Sequence, residues 1–177
     1  MATHEHKALI IMDMWDAYHP GHDRFKNIIE QTVNRISKIV KSWQGPVVLA
    51  CYDTVFDLQE GCWTNSNHLP WSSPHILLEM ATNEKSMSLI SWDKAQVAEF
   101  LAKHEVHELF YAGASFPGCI MSRDLGINNM REQFGCIVII DCVINLSSSG
   151  YNEHEIIHDA YRHALTSKQR IVTSDTL

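Results

Sequence analysis

Long apolar runs are missing from this 177-residue chain. No stretch approaches the roughly 20 apolar residues that a membrane-spanning helix needs, so we expect no membrane span. The apolar run Ala8 to Met12, near the start, is too short for the core of a signal peptide, and we predict that the chain carries none. Membrane proteins are therefore disfavoured.

Positive charge is also scarce. Lys and Arg number 14 against 21 Asp and Glu, which gives a net charge of −7 and a pI near 5.8. This balance argues against nucleic acid or an anionic membrane as a partner. Internal repeats, linkers and low-complexity tracts are absent, so the length predicts one domain over residues 1–177.

The cysteine pattern does not suggest a disulfide framework. The chain has an odd number of cysteines, five: Cys51, Cys62, Cys119, Cys136 and Cys142. Three of the five lie in or beside apolar β-like runs. This usage is typical of reduced, cytoplasmic proteins.

Apolar strands and amphipathic helices alternate along the chain. Buried strands are predicted at 7–13 and 46–52, and further strands at 108–113, 136–141 and 170–174. Helices are predicted at 24–43, 92–103 (capped by Ser91), 119–134 and 153–167. Residues 53 to about 82 are less regular and indicate a functional loop or short elements. The alternation predicts a single-domain, three-layer α/β/α sandwich of Rossmann type, around a mostly parallel sheet of about six strands.

Reactive residues fall near the strand ends, where such sheets gather their sites. Asp13 follows the first strand, and Lys85 precedes the helix at 92. Cys119 opens a helix after a turn that follows strand 108–113, a position that favours the nucleophilic thiolate. A single cysteine is more often a small buried hydrophobe, and the neighbouring motifs shift that balance.

The ordered motifs resemble the isochorismatase-like cysteine hydrolase superfamily, which includes nicotinamidases and N-carbamoyl amidohydrolases. Its marks here are the Asp after strand one, a Lys before a Trp-bearing segment, a Gly-x5-Cys turn, and Gly135 and Asp141 around the next strand. The resemblance implies an Asp13, Lys85 and Cys119 triad. It also implies an oxyanion hole of the Ser115 and Cys119 backbone N–H groups, with a cis bond between Ala114 and Ser115.

The resemblance further implies a metal-independent cysteine hydrolase without a cofactor. Lys85 would stabilise the Cys119 thiolate, and Asp13 would take the thiol proton and later activate water. The thiolate would attack a small amide or ureido compound and cleave its C–N bond through a thioester. Two alternatives stay open: an isochorismatase-type vinyl-ether hydrolase, which needs no thiol attack, and a non-catalytic oligomeric relative.

Three aromatic residues near the predicted site are candidates for a wall against a planar substrate: Trp15, Tyr18 and Phe116. Trp15 stands where the family commonly has Gln, and Phe116 replaces a small hydroxyl residue. Ordinary packing is an equal alternative for each of the three.

No metal site is predicted. The Asp-x-His metal motif of nicotinamidases is broken, since Val55 lies two residues after Asp53. His154, Glu155 and His158 match a zinc-protease pattern but lack a well-placed third ligand. By resemblance we expect a homo-oligomer (dimer, tetramer or octamer), with residues 53–82 as candidate pocket wall and subunit contact.

Overall fold

The computed structural model describes residues 6–14, 26–51, 54–57, 62–65, 74–146, 148 and 152–177, with the backbone alone for 54–57, 62–65 and 153. Its strands are β1 Lys7–Met12, β2 Val47–Ala50, β3 Thr54–Asp57, β4 Cys62–Asn65, β5 Ser88–Ile90, β6 Glu108–Ala114, β7 Gly135–Ile144 and β8 Arg170–Val172. Its helices are α1 Lys26–Ser42, α2 Ile76–Asn83, α3 Lys94–Lys103, α4 Gly118–Ser122, α5 Ile127–Met130 and α6 Glu153–Thr166, and a 3-10 turn follows at Ser174–Thr176.

Six strands form one parallel sheet in the order β5-β2-β1-β6-β7-β8. The predicted α/β fold with a six-stranded parallel sheet is confirmed. The strand order starts at the centre and moves outward in both directions, so β1 and β6 lie side by side. Their carboxyl ends therefore meet at the middle of one rim, where sites of such sheets form.

Apolar side chains on both faces of β1 explain its burial in the centre of the sheet. Leu9 and Ile11 pack in the cluster that contains α1 residues such as Val33 and Ile36. Ala8, Ile10 and Met12 pack in the opposite cluster, with residues of α3, α4 and α5. A strand covered on both faces reads as a continuous apolar run, which is the pattern of residues 8–12.

The irregular segment 53–82 contains short elements. Strands β3 and β4 pair as an antiparallel hairpin, and α2 begins at Ile76. The N–H of His75 donates to the Met14 carbonyl oxygen (2.8 Å), so α2 starts beside the end of β1. From there α2 runs to the opposite rim of the sheet, where β5 begins next to Val47. We call this rim, formed by the amino ends of the strands, the amino rim, and the rim formed by their carboxyl ends the carboxyl rim.

The helix predicted over 119–134 is two short helices, α4 and α5, separated by a turn. Arg123 ends α4 in an extended conformation (φ −63°, ψ 163°). A Cβ at Gly126 would lie only 2.8 Å from the Arg123 carbonyl oxygen and 2.9 Å from that of Ile120. The buried Tyr111 hydroxyl donates to the Leu125 carbonyl oxygen (2.9 Å) and fixes the turn against β6.

Two further details differ from expectation. The N-cap of α3 is Asp93, whose Oδ1 accepts from the Gln96 N–H (2.8 Å), and not Ser91. Asp141 lies within β7, where its carboxylate accepts bonds from the N–H (2.8 Å) and the hydroxyl of Ser174. Asp141 therefore anchors the C-terminal turn. Among the described helices, none is long and apolar enough to cross a membrane.

Candidate active site

Asp13 is fully buried at the end of β1, with 0% of its surface exposed. Its N–H donates to the Ala50 carbonyl oxygen (2.9 Å), which continues the pairing of β1 with β2. Its φ of 49° then turns the chain away from the strand direction. The carboxylate is thus held at the carboxyl rim, next to the end of β6.

Gly113 lets β6 approach β1 closely at this point. It pairs with Met12 in the sheet register and has a φ of 111°. A Cβ at this position would lie 2.1 Å from the Met12 carbonyl oxygen, which no real contact allows. Only glycine fits both the backbone conformation and the space. Gly113 therefore sets the spacing between Asp13 and the turn that follows β6.

The turn after β6 is attached to the end of β7. The N–H of Phe116 donates to the Ile144 carbonyl oxygen (2.9 Å), and the Leu146 N–H donates to the Ser115 hydroxyl oxygen (3.3 Å). The peptide bonds Ala114–Ser115, which the resemblance predicts to be cis, and Phe116–Pro117 are both cis. The turn delivers Cys119 to the first turn of α4, where the Ile120 N–H donates to the Ser115 carbonyl oxygen (3.1 Å).

Cys119 lies against Asp13. Burial raises the pKa of its thiol to about 11, and the negative charge of Asp13 and a hydrogen bond to that carboxylate act in the same direction. The charge of Arg123 and a hydrogen bond from the Ser115 backbone oppose the rise. The thiol is therefore protonated at neutral pH. The sequence led us to expect that the helix N-terminus favours the thiolate, but α4 has only five residues and burial is the largest influence on this pKa.

Arg123 supplies the positive charge beside the pair. Its Nε donates to Oδ2 of Asp13 at 3.3 Å, and only 5% of its side chain is exposed. Sequence reasoning missed this residue. A signal was present, because residues i and i+4 share one face of a helix, and Arg123 lies four positions after Cys119.

No protein-family model matches the chain, and no curated protein matches its sequence. Solved structures do match. A cysteine hydrolase from Pseudomonas syringae pv. phaseolicola has a TM-score of 0.66 at 12% identity, over 98% of this chain and 91% of that one. The yeast nicotinamidase Pnc1p, bound to the inhibitor nicotinaldehyde, has a TM-score of 0.63 at 13% identity, over 94% and 99%. An isochorismatase-family protein has a TM-score of 0.60 at 13% identity, over 97% and 100%.

The chain has the isochorismatase-like fold. Sequence identities this low establish a shared fold only. The chemistry must be inferred from the residues of the site.

Lys85 does not take the place that the isochorismatase-like resemblance gives it. It follows α2 at the amino rim, where its Nζ donates to the Lys41 carbonyl oxygen at the end of α1 (3.3 Å). Asp13 lies at the other rim, and the six residues of β1 between the rims span about 20 Å. The predicted triad is corrected: Asp13 and Cys119 come together without Lys85.

The predicted aromatic wall is also corrected at Phe116. Its side chain is 0% exposed and packs in the apolar core, where its ring is T-shaped to the ring of His163 in α6, with 5.9 Å between centroids. A ring enclosed by core side chains does not form a wall of an open pocket. Trp15 and Tyr18, the other two members of that wall, lie outside the described residues.

The described residues contain no group of three His, Cys, Asp or Glu side chains that could hold a metal ion. His154 and His158 of the zinc-protease pattern are exposed on α6. Asp53 and the side chain of Val55, which carry the broken nicotinamidase motif, lie outside the described part of the structure.

Proposed function

We propose that this chain is a metal-independent cysteine hydrolase that cleaves the C–N bond of a small amide or ureido compound. The observation that carries the proposal is the contact between the Cys119 thiol and the buried Asp13 carboxylate at the carboxyl rim. A nucleophile with a base in hydrogen-bonding contact is the arrangement that covalent catalysis requires. The isochorismatase-like fold, shared with cysteine hydrolases, supports this choice of chemistry.

In the first half-reaction, Asp13 takes the proton from Sγ of Cys119 while the sulfur attacks the carbonyl carbon. The raised pKa of Cys119, to about 11, supports removal of the proton during attack rather than a stable thiolate. The backbone N–H groups of Ser115 and Cys119 would hold the oxyanion, and the hydrogen bond from the Ser115 backbone to the sulfur supports that role. The C–N bond then breaks, the nitrogen takes the proton from Asp13, and a thioester remains.

In the second half-reaction, Asp13 takes a proton from water as the oxygen attacks the thioester carbonyl. The C–S bond breaks, the sulfur recovers the proton from Asp13, and a carboxylic acid leaves (a carbamic acid from a ureido substrate). Asp13 serves as base and then acid in each half, which returns the site to its starting protonation.

The test is ammonia release from a panel of small primary amides and ureido compounds. We expect Cys119→Ala to lose about 10³-fold or more in kcat/KM on any substrate found. Asp13→Asn should lose at least about 10²-fold, the usual contribution of a general acid and base. Cys142 is a buried thiol whose charged neighbours are Asp141 and Arg35 rather than Asp13, so Cys142→Ala is the matched control and should keep the wild-type rate.

The same variants separate the alternatives. Hydrolysis of a vinyl ether that persists in Cys119→Ala would identify an isochorismatase-type enzyme, in which the thiol is not the nucleophile. A folded wild-type protein that turns over neither class of compound would favour the non-catalytic relative.

A further inference from the structure

The pair of Asp13 and Cys119 needs a positive charge beside it, and the lysine predicted from the sequence motifs does not lie there. A carboxylate and a thiol in contact carry one negative charge between them, and that charge moves from Asp13 to the sulfur as the proton is transferred. In a buried site an uncompensated charge is costly, so a nearby cation is expected. The predicted cation, Lys85, lies at the opposite rim on the Lys41 carbonyl oxygen.

We propose that Arg123 is the positioning residue of this site and replaces the predicted lysine. In this role it keeps the Asp13 carboxylate ionised and directed at the Cys119 thiol, and it stabilises the sulfur when the negative charge moves there. The inference rests on the proposed function for its catalytic meaning, but its geometry stands alone: Nε of Arg123 lies 3.3 Å from Oδ2 of Asp13.

The backbone of Arg123 is fixed at both its N–H and its carbonyl oxygen. The N–H donates to the Cys119 carbonyl oxygen (3.0 Å). The carbonyl oxygen accepts from the Gly126 N–H (2.7 Å) and from Nδ2 of Asn129 (2.8 Å). The break between α4 and α5 therefore ends the helix one turn after Cys119 and holds the Arg123 guanidinium beside Asp13.

Arginine suits this buried position better than lysine. Its planar guanidinium is more weakly hydrated than an ammonium group, which makes arginine the preferred cation of buried ion pairs. It also offers several donors in a fixed plane, so contact with Asp13 orients the carboxylate as well as neutralising it. With 5% exposure for Arg123 and 0% for Asp13, solvent screens this pair little.

Among the described side chains, Cys51 is a second thiol near Asp13, and it does not compete for the role of nucleophile. It follows β2, is buried, and its Sγ donates to the Met14 carbonyl oxygen (3.4 Å). Burial, and then the charge of Asp13, raise the pKa of this thiol. Cys119 is the more accessible of the two, so alkylation of Cys119 reports on the site.

The experiment measures the rate of iodoacetamide alkylation of Cys119 at pH 8, with peptide mapping to assign the label. Arg123→Gln should slow the reaction about tenfold or more, because the thiolate fraction falls tenfold for each unit that the thiol pKa rises. Arg123→Lys should stay within about threefold of wild type, since the charge is kept. Arg131→Gln, the same change at an exposed arginine after α5, and Lys85→Gln should both match wild type.

Two results would overturn the inference. One is alkylation of Arg123→Gln at the wild-type rate, and the other is Arg123→Lys as slow as Arg123→Gln, which would show that charge is not responsible. If Arg123→Gln does not fold, Asp13→Asn is compared with Asp13→Asn/Arg123→Gln, in which no charge of the pair remains. The double variant should be the slower of the two by about tenfold, and equal rates would contradict the role of Arg123.

The readout separates the inference from the proposed function. Slow alkylation in Arg123→Gln, in a protein whose wild type hydrolyses no amide, would support Arg123 and reject the hydrolase. If amide hydrolysis requires Cys119 and Asp13, and Arg123→Gln changes neither hydrolysis nor alkylation, the hydrolase is supported and the role of Arg123 is rejected.

Discussion

The charge of Asp13 has two opposite effects on Cys119. It raises the pKa of the thiol, which lowers the amount of thiolate at neutral pH, yet it is also the base that removes the thiol proton during attack. Asp13 therefore lowers the rate at which Cys119 reacts with a simple alkylating agent, and raises the rate at which it turns over a substrate.

We predict that Asp13→Asn alkylates faster than wild type and hydrolyses amides more slowly. Removing the negative charge leaves Arg123 beside the thiol, so the thiol pKa falls and the iodoacetamide rate at pH 8 rises, by about tenfold for each unit. Both rates are measured on one preparation. A variant that loses both reactivities in parallel, while still folded by circular dichroism, would contradict this division.

Gly113 is the residue on which the meeting of β1 and β6 depends. Gly113→Ala should lower the free energy of unfolding by at least about 2 kcal/mol, since both its φ and its contact with the Met12 carbonyl exclude a side chain. Urea unfolding measures the change. Gly118→Ala, where the nearest atoms lie 3.4 Å from the new Cβ, is the control and should change stability far less.

Residue patterns predicted part of this site. Asp13 and Cys119 each follow a central parallel strand, and parallel strands end at the same rim, so their meeting follows from the strand pattern. Lys85 lies in a segment whose short elements the pattern did not separate. Whether a residue there reaches one rim or the other depends on the direction of α2, which no local motif indicates.

At the scale of elements, the strands were easier to predict than the helices around the site. The buried strands are continuous apolar runs, and their bounds agree closely with 7–13, 46–52 and 108–113. The stretch 119–134 has helical periodicity, but tertiary contacts of Tyr111 and Gly126 divide it. Local propensity could not predict that division, because its cause lies in a neighbouring strand.

Helix α3 offers a test at this scale. Asp93→Ala should destabilise the protein by about 1 kcal/mol, because the Gln96 N–H loses its acceptor at the N-cap. Asp93→Ser keeps a capping oxygen and should cost much less. Thermal unfolding of the three proteins measures the difference, and equal losses in both variants would contradict the cap assignment.

At the scale of the whole molecule, thiols are buried on the two faces of the sheet, and this predicts how stability depends on pH. Cys142 is fully buried, and burial first and the charge of Asp141 second raise its pKa. An unfolded chain loses this proton near pH 9, while the folded protein keeps it, so stability falls as the pH rises above 9.

We therefore predict that Cys142→Ala weakens the decline of stability at alkaline pH. Between pH 9 and 11 each such thiol contributes a loss of about 1.4 kcal/mol per pH unit, and removing one should reduce the slope by up to that amount. Urea unfolding at pH 8, 9, 10 and 11 gives the slopes for wild type and variant. Parallel slopes would show that Cys142 does not titrate differently in the two states.

Assembly is a further property of the whole molecule. The isochorismatase-like resemblance leads us to propose a homo-oligomer, and the exposed apolar side chains of α2 provide surface for one: Ile76, Leu77 and Met80. Sedimentation equilibrium at several concentrations measures the mass. A monomer at all concentrations would remove this expectation without affecting the site.

A thioester on Cys119 is the intermediate of the proposed reaction, and partitioning with hydroxylamine detects it. The best amide from the panel is turned over in rising concentrations of hydroxylamine, and the acid and hydroxamate products are quantified. An acyl group on Cys119 predicts that hydroxamate replaces acid in proportion to hydroxylamine, with neither product formed by Cys119→Ala. Acid as the sole product at every concentration, or continued turnover by Cys119→Ala, would contradict a thiol nucleophile at this site.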